Sequence, residues 1–455
     1  MGINNIINLQ PTTSKKVLQA CCLWVYTIFL MKREGKIRAS MRFSLIDGLF
    51  AAFMLGIITD YITPFALALK ATNSQIGILA SFPILIAAFV QLKSADLVER
   101  AKSRKKIVST FVLLQGLTFI PIILIPYLFK WQSVLFLIIF VALFTIFGAI
   151  AFPAWASLMC DHIPHRSRGK YFGWRNKVMS SVTVFSGFLA GIILHITNKN
   201  VFVGFSIIFG LALVSRLFSF YFLTRMSELP FRVKNEAYFS FLDFIKRIRE
   251  SNFAKFTFFV ASFSFCVSLA SPFFSVFMLR DLGFNYFTYT LIVTTVTIAN
   301  ILFIDRWGRE ADRVGNIKVL RATSIVAILL PSLWIINHSP LYLIFIQIIG
   351  GLVWSGFNLC AINFIYDAAA AEKRARCVAY FSFCNGLAIC LGALLGGFLV
   401  NILPPLFSYK LLSLFLLSSI MRLFVVLFFL GKIKEVRKIE AISSRDLFYS
   451  IIGLK

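Results

Sequence analysis

Long apolar stretches separated by short polar connections dominate the pattern of this chain. Twelve apolar blocks stand out, most of them about 18 to 26 residues long, enough for a helix to cross roughly 30 Å of hydrocarbon. They lie at approximately 43–69, 74–92, 107–129, 133–158, 171–197, 201–224, 254–279, 286–304, 318–337, 340–365, 378–402 and 408–431. The alternating pattern of β-barrel strands is absent. The sequence therefore predicts an all-α polytopic membrane protein with twelve transmembrane helices.

Composition agrees with this reading, because only 14% of the 455 residues are charged and the mean hydropathy is +0.84. Soluble domains carry about a quarter charged residues. In a soluble protein, the formal net charge of +27 would suggest a nucleic-acid partner. Here 39 of the 46 Lys and Arg residues fall in alternate connections. This positive-inside asymmetry predicts a multi-pass protein of the cytoplasmic membrane with both termini in the cytoplasm. The partner of these basic connections is then the anionic lipid of the inner leaflet, and no nucleic acid is needed to explain the charge.

Short matches recur in the two halves of the sequence in the same order. Pro64-Phe65 matches Pro272-Phe273, and Asn176 matches Asn385. Arg216 and Arg422 are each followed by Leu-Phe. The first two pairs are separated by 208 and 209 residues, and the two arginines by 206. Matches at nearly one offset predict two parallel six-helix repeats, over 42–224 and 254–431.

The connection between blocks 8 and 9, GREADRVGNIK at Gly308–Lys318, resembles the signature of the major facilitator superfamily of secondary transporters. A degenerate copy, without the glycines, follows block 2 around Asp96. The resemblance implies the fold of that superfamily, here in a prokaryotic branch, and the function of a transporter rather than an enzyme. Gly308 and Gly315 are expected to allow tight turns at the membrane surface.

The resemblance also implies a cytoplasmic gate made of two latches that hold the halves together in one conformation and separate in the other. Partly solvated pairs of this kind contribute roughly 0–1 kcal/mol each, which suits an equilibrium that must tip both ways. The alternative is that these charges only set the topology. The expected gate residues are Asp96, Arg100, Arg166, Arg168, Gly308, Asp312, Arg313, Gly315, Arg374 and Arg376.

By the same resemblance, a central cavity should be lined mainly by helices 1, 4, 7 and 10. Each hydroxyl among the candidates could instead bond its own helix backbone, and the tryptophan could be packed core. The candidates for substrate binding or coupling are Asp60, Tyr61, Ser268, Ser271, Thr295, Asn300, Trp354, Asn358 and Asn385.

Asp60 stands out as the one carboxylate deep inside an apolar block, where an ionisable group costs on the order of 2.5–3.5 kcal/mol on insertion scales. It is expected to carry a proton or to attract a cationic group of the substrate. Asp47 is expected to be solvated near the cytoplasmic end of its block, and Arg216 and Arg422 to snorkel toward the same surface. With no basic residue at the centre, substrates with several negative charges are disfavoured.

The predicted function is thus secondary transport of a small molecule by alternating access, coupled to protons through Asp60. An uncoupled facilitator and a receptor or scaffold that does not transport remain open alternatives. A lipid-modifying membrane enzyme is disfavoured, since the sequence offers no Ser-His-Asp set. The eight Cys and four His residues lack metal-ligand spacing, so neither a metal nor a cofactor is predicted. A monomer is expected.

Three further segments flank these repeats. Residues 1–41 form a cytoplasmic segment that is either an interfacial helix or a start-site artefact. Residues 225–253 form a basic cytoplasmic linker with an amphipathic helix, which would lie on the inner membrane surface. Residues 432–455 form a basic cytoplasmic tail.

Overall fold

The computed structural model describes residues 35–92, 103–129, 131–163, 168–228, 251–368 and 374–436. Most of the predicted N-terminal segment, the amphipathic linker helix and most of the predicted tail lie outside these ranges.

Twelve helices long and apolar enough to cross a membrane occupy the described part of the chain. Two of them are interrupted: α3 is divided at Thr118, and α7 passes through a short helix and a π-helical turn. The helices are α1 Gly35–Ala68, α2 Asn73–Leu92, α3 Arg104–Leu117 with Phe119–Leu128, α4 Ser133–His162, α5 Arg168–Ile196, α6 Val201–Thr224, α7 Asn252–Ala270 with Phe273–Val276 and Phe277–Asp281, α8 Tyr286–Val314, α9 Asn316–Leu333, α10 Pro340–Ala368, α11 Arg374–Ile402 and α12 Lys410–Phe429. The prediction of an all-α protein with twelve spans is confirmed.

Several helices extend past their apolar blocks, because an apolar block records only the part of a helix suited to hydrocarbon. The helix α8 continues to Val314, ten residues beyond the predicted end at Ile304. Gly308 therefore lies inside α8, and the turn expected there is wrong. Gly315 does form the turn into α9, with a φ of 88° that glycine adopts without a steric penalty.

The helices form two bundles, α1–α6 and α7–α12, with the same neighbours in each. In the first bundle α1 packs against α5 and α6, while α4 packs against α2 and α3. In the second bundle α7 packs against α11 and α12, while α10 packs against α8 and α9. The equivalence of these contacts confirms two parallel six-helix repeats.

Small residues allow the two bundles to approach closely where α2 meets α11 and α5 meets α8. A Cβ added at Gly77 would lie 2.7 Å from the carbonyl oxygen of Ala393. A Cβ added at Gly191 would lie 2.2 Å from the hydroxyl of Thr290. Close backbone contact of this kind is the usual basis of helix association in lipid. We call the face at which α2, α4, α8 and α10 end and α3, α5, α9 and α11 begin the basic face.

Candidate functional site

Three helices from both bundles meet around Asp60 and Tyr61 of α1. Tyr61 is fully buried, and its hydroxyl donates to the carbonyl of Gly187 on α5 over 2.7 Å. The same hydroxyl lies 2.6 Å from the hydroxyl of Thr290 on α8. Next to it, the hydroxyl of Tyr289 donates to the backbone carbonyl of Asp60 over 2.7 Å. We call Tyr61, Gly187, Tyr289 and Thr290 the junction, since they connect the two halves of the protein.

The Asp60 side chain is half-buried beside the junction. A Cβ added at Gly187 would lie 3.7 Å from Oδ2 of Asp60 and 3.5 Å from Cγ2 of Thr294. Within the described residues, the Asp60 carboxylate makes no hydrogen bond or ion pair. A carboxylate at membrane depth without a protein partner must be hydrated, protonated or bound to a ligand. Asp60 is therefore suited to exchange a proton or to hold a cationic group.

A cavity of about 370 Å³ lies inside the second bundle, between α7, α8, α9, α10 and α12. Its polar wall consists of Ser271, Ser275, Gln347 and Arg422. The rest of the wall is apolar or aromatic and includes one glycine. It consists of Val267, Phe274, Met278, Val293, Leu330, Pro331, Trp334, Ile346, Gly350 and Trp354. The hydroxyl of Ser275 lies 3.1 Å from that of Tyr289, so a chain of hydrogen bonds runs from the cavity to the junction.

The structure separates the predicted binding residues into different environments. Ser271 and Trp354 share the cavity wall. Tyr61 is fully buried and bonded inside the junction, where it connects α1 to α5 and α8. Ser268 is buried against α11. A Cβ added at Gly392 of α11 would lie 3.1 Å from the Cβ of Ser268.

The other polar candidates do not converge on either place. The hydroxyl of Thr295 donates to the carbonyl of Leu291 one turn earlier over 2.7 Å, the backbone bond weighed as its alternative. Asn300 is half-buried, and Asn358 is exposed. The Oδ1 atom of Asn385 is buried and accepts no hydrogen bond within the described residues. These four residues remain predictions as substrate contacts.

The predicted gate is described only in part. Asp96, Arg100 and Arg166 lie outside the described residues, and the structure describes only the helical backbone of Arg168, Arg374 and Arg376. Asp312 and Arg313 are exposed in the last turn of α8, next to Gly315. The two latches therefore remain a prediction.

An ion pair that the sequence did not indicate joins the two halves toward the basic face. Lys177 of α5 binds Asp305 of α8, about two turns before Asp312. Their side chains are 46% and 56% exposed, so the pair should contribute only about 0.2–1 kcal/mol. A contact of this strength can form and break as the halves move.

A buried charged network in the first bundle was missed altogether. Asp47 is 4% exposed and accepts a hydrogen bond from Ser219 over 2.6 Å. Arg216 donates to the same Ser219 hydroxyl over 3.1 Å and also donates to Gln115. Arg175 is buried nearby and interacts electrostatically with Asp47. The expectation that Asp47 is solvated is wrong, because α5 and α6 place basic groups at its depth.

Two related expectations are corrected with it. Asp60 is not the one carboxylate deep in the helices, since Asp47 is more buried. Neither Arg216 nor Arg422 snorkels: they are 8% and 2% exposed and donate to groups inside their own bundles. The repeated Arg-Leu-Phe triplet was the sequence signal that could have marked both as interior positions.

Comparison with known proteins agrees with this architecture. The family model of the Major Facilitator Superfamily matches residues 48–271 and 256–452. The chain belongs to this superfamily. The resemblance found in the sequence is thereby confirmed, and the protein is a multi-pass membrane protein with the fold of these transporters.

Solved structures of the superfamily show the same fold. A D-xylose-proton symporter superposes with a TM-score of 0.69 at 12% identity, covering 89% of this chain and 100% of its own. The nucleoside transporter NupG superposes with a TM-score of 0.66 at 15% identity, covering 87% of this chain and 99% of its own. A bacterial homologue of the human lysosomal transporter Spinster, in an inward-facing state, superposes with a TM-score of 0.65 at 13% identity. The match covers 92% of this chain and 99% of that one. At these identities the likeness concerns the fold alone. A comparison with curated protein sequences finds no match.

Proposed function

We propose that this superfamily member is a secondary transporter that moves a small molecule across the cytoplasmic membrane by alternating access, coupled to protons through Asp60. The observation that carries the proposal is the Asp60 carboxylate beside the junction, without a protein partner among the described residues. In this proposal the basic face and both termini are cytoplasmic, as the positive-inside rule requires.

Protonation of Asp60 would change which arrangement of the halves is favoured. The ionised carboxylate requires water or a cation and so favours an arrangement in which the junction is hydrated. The neutral acid tolerates a dry, closed junction. Because Tyr289 holds the backbone of Asp60 and Tyr61 holds that of Gly187, a displacement of α1 acts directly on α5 and α8. A proton can thus shift the population between the two states by its differential affinity for them.

The first test measures conformation, because it needs no substrate. Hydrogen–deuterium exchange of the full chain in nanodiscs is followed in α5 and α8 at acidic and at alkaline pH. After correction for the intrinsic pH dependence of amide exchange, we expect the protection factors of α5 and α8 in the wild type to change with pH. In Asp60→Asn, which mimics the neutral acid, they should keep their acidic values at both pH values. Asp281→Asn is a matched control, since Asp281 pairs with the neighbouring Arg280 outside the junction. If Asp60→Asn responds to pH as the wild type does, Asp60 is structural.

The second test measures transport. Proteoliposomes that enclose a pH-sensitive dye are exposed to pooled sugars, nucleosides, amino acids and small acids. Solute-driven proton movement that is lost in Asp60→Asn would support coupling. Solute flux without proton movement would identify an uncoupled facilitator. Binding without flux would identify a receptor and refute transport.

A further inference from the structure

Arg422 of α12 presents an unusual charge in the cavity of the second bundle. The residue is 2% exposed and forms part of the cavity wall. One terminal nitrogen donates to the carbonyl of Ala327 on α9 over 2.8 Å. Its Nε is buried and has no hydrogen-bond partner within the described residues. A guanidinium carries five N–H donors and stays charged in proteins, so this site has unused capacity to bind an acceptor.

The repeat shows that a counter-charge is missing. Arg216, which matches Arg422, shares the Ser219 hydroxyl with the carboxylate of Asp47. The offset of 208 residues that relates Pro64 to Pro272 relates Asp47 to Lys255. The second bundle therefore has a base where the first has an acid, and within its described residues no carboxylate pairs with Arg422. A buried charge without a counter-charge costs several kcal/mol, which a bound anion would offset.

The rest of the cavity wall indicates what kind of anion fits. Trp334, Trp354 and Phe274 supply aromatic surface, while Gln347 and Ser271 supply neutral hydrogen-bonding groups. A volume of about 370 Å³ is far larger than a single inorganic ion needs and lies within the usual range of small-molecule sites. One guanidinium matches one carboxylate in charge and in planar geometry, whereas a dianion would leave excess charge.

We propose that this cavity binds a small monocarboxylate with an apolar or aromatic body, its carboxylate on Arg422 and its body against the aromatic wall. As the transported substrate, this ligand class rests on the function proposed above, and the hydrogen bonds from Ser275 through Tyr289 to the backbone of Asp60 provide the structural link. Binding itself requires neither transport nor titration of Asp60, so the two proposals can fail separately.

Calorimetric titration of the purified full chain at constant ionic strength tests the charge requirement. The probes are benzoate and benzamide, which have nearly the same shape and differ in charge. Hydrogen bonds to charged groups are strong enough that we expect benzoate to bind at least about tenfold tighter, and Arg422→Gln to remove that preference. Equal affinity for the two probes in the wild type, or a preference that survives Arg422→Gln, would overturn the proposal. So would chloride that displaces benzoate at an equal concentration, because the organic body would then not be recognised.

A second variant tests the location and serves if Arg422→Gln does not fold. Gly350 is on the cavity wall, and a Cβ there would meet Val296 at 3.7 Å and Gln347 at 3.8 Å, which are ordinary contacts. Gly350→Leu should therefore fill the cavity while Arg422 stays in place, and reduce benzoate affinity at least about tenfold. Gly210→Leu is the control, since a Cβ at Gly210 meets nothing within 4 Å. Unchanged benzoate binding in Gly350→Leu would place the site elsewhere and refute the proposal.

Discussion

Neutralising Asp47 should destabilise the protein more than neutralising Arg216, although the two belong to one network. Asp47 is a single carboxylate among two guanidiniums, those of Arg216 and Arg175, and all three residues are buried. Asp47→Asn leaves two buried cations without an anion. Arg216→Gln leaves the carboxylate with Arg175 and with the Ser219 hydroxyl.

The magnitudes follow from this asymmetry. Removing one partner of a buried charge pair costs about 3–5 kcal/mol, and Asp47→Asn should reach the upper end because two charges lose their counter-ion. Arg216→Gln removes the charged hydrogen bonds to Ser219 and Gln115 but leaves a balanced pair, so about 1.5–3 kcal/mol is expected. The double variant retains only the charge of Arg175. Its destabilisation should be smaller than the sum of the two single effects, as expected for residues in one network.

The assay is thermal unfolding of the detergent-solubilised protein, read from the soluble fraction that remains monodisperse after heating. Asp60→Asn is the matched control, since it also neutralises an aspartate of α1 but one without a hydrogen-bond or ion-pair partner among the described residues. It should leave the midpoint nearly unchanged or raise it. The reasoning is refuted if Arg216→Gln lowers the midpoint as much as Asp47→Asn does, or if Asp60→Asn lowers it more than either.

Two pairs of glycine substitutions provide further predictions. Gly191→Ala places a Cβ 2.2 Å from the hydroxyl of Thr290 across the α5–α8 contact, so α8 should move away and its amides should exchange faster; Gly210→Ala, with open space around it, should show no such change. Gly315→Ala should lower stability by about 1 kcal/mol, because a φ of 88° is unfavourable for alanine, whereas Gly308→Ala within α8 should raise it by about 0.5–1 kcal/mol. Thermal midpoints compare this second pair, and a more harmful Gly308→Ala would contradict the account of the turn.

The architecture was predictable because a bilayer imposes strong constraints on a sequence. Every backbone group in hydrocarbon must be bonded within a helix, so long apolar blocks can be counted directly. Matches such as Asn176 with Asn385 then revealed the repeat. Helix ends were predicted less well, because helices such as α8 continue into polar residues that the hydropathy pattern assigns to a connection.

The site was predictable only in part, because apolar helices give little sign of which side faces a neighbour. Ser271 and Trp354 were identified as candidates and do lie on the cavity wall. Gln347, Ser275 and Tyr289 were missed, since nothing in their own segments distinguishes them from residues that face lipid. The buried network of Asp47 was missed for a related reason. Its partners lie on α5 and α6, and the sequence of α1 alone does not show which residues of those helices face it.

The difference between the two repeats explains how one architecture can combine rigidity with a binding site. In the first bundle the interior arginine has Asp47 as a counter-charge, and its two terminal nitrogens donate to Ser219 and Gln115. In the second bundle the matching arginine faces a cavity, and the offset places Lys255 where the acid would be. Hydrogen bonds among buried charged and polar groups hold neighbouring helices together, whereas a buried charge that has no counter-charge and lies beside a cavity favours an anionic ligand. In the proposed transporter the first bundle would therefore serve as the fixed side of the junction, and a ligand bound in the second bundle would act on the backbone of Asp60 through Ser275 and Tyr289.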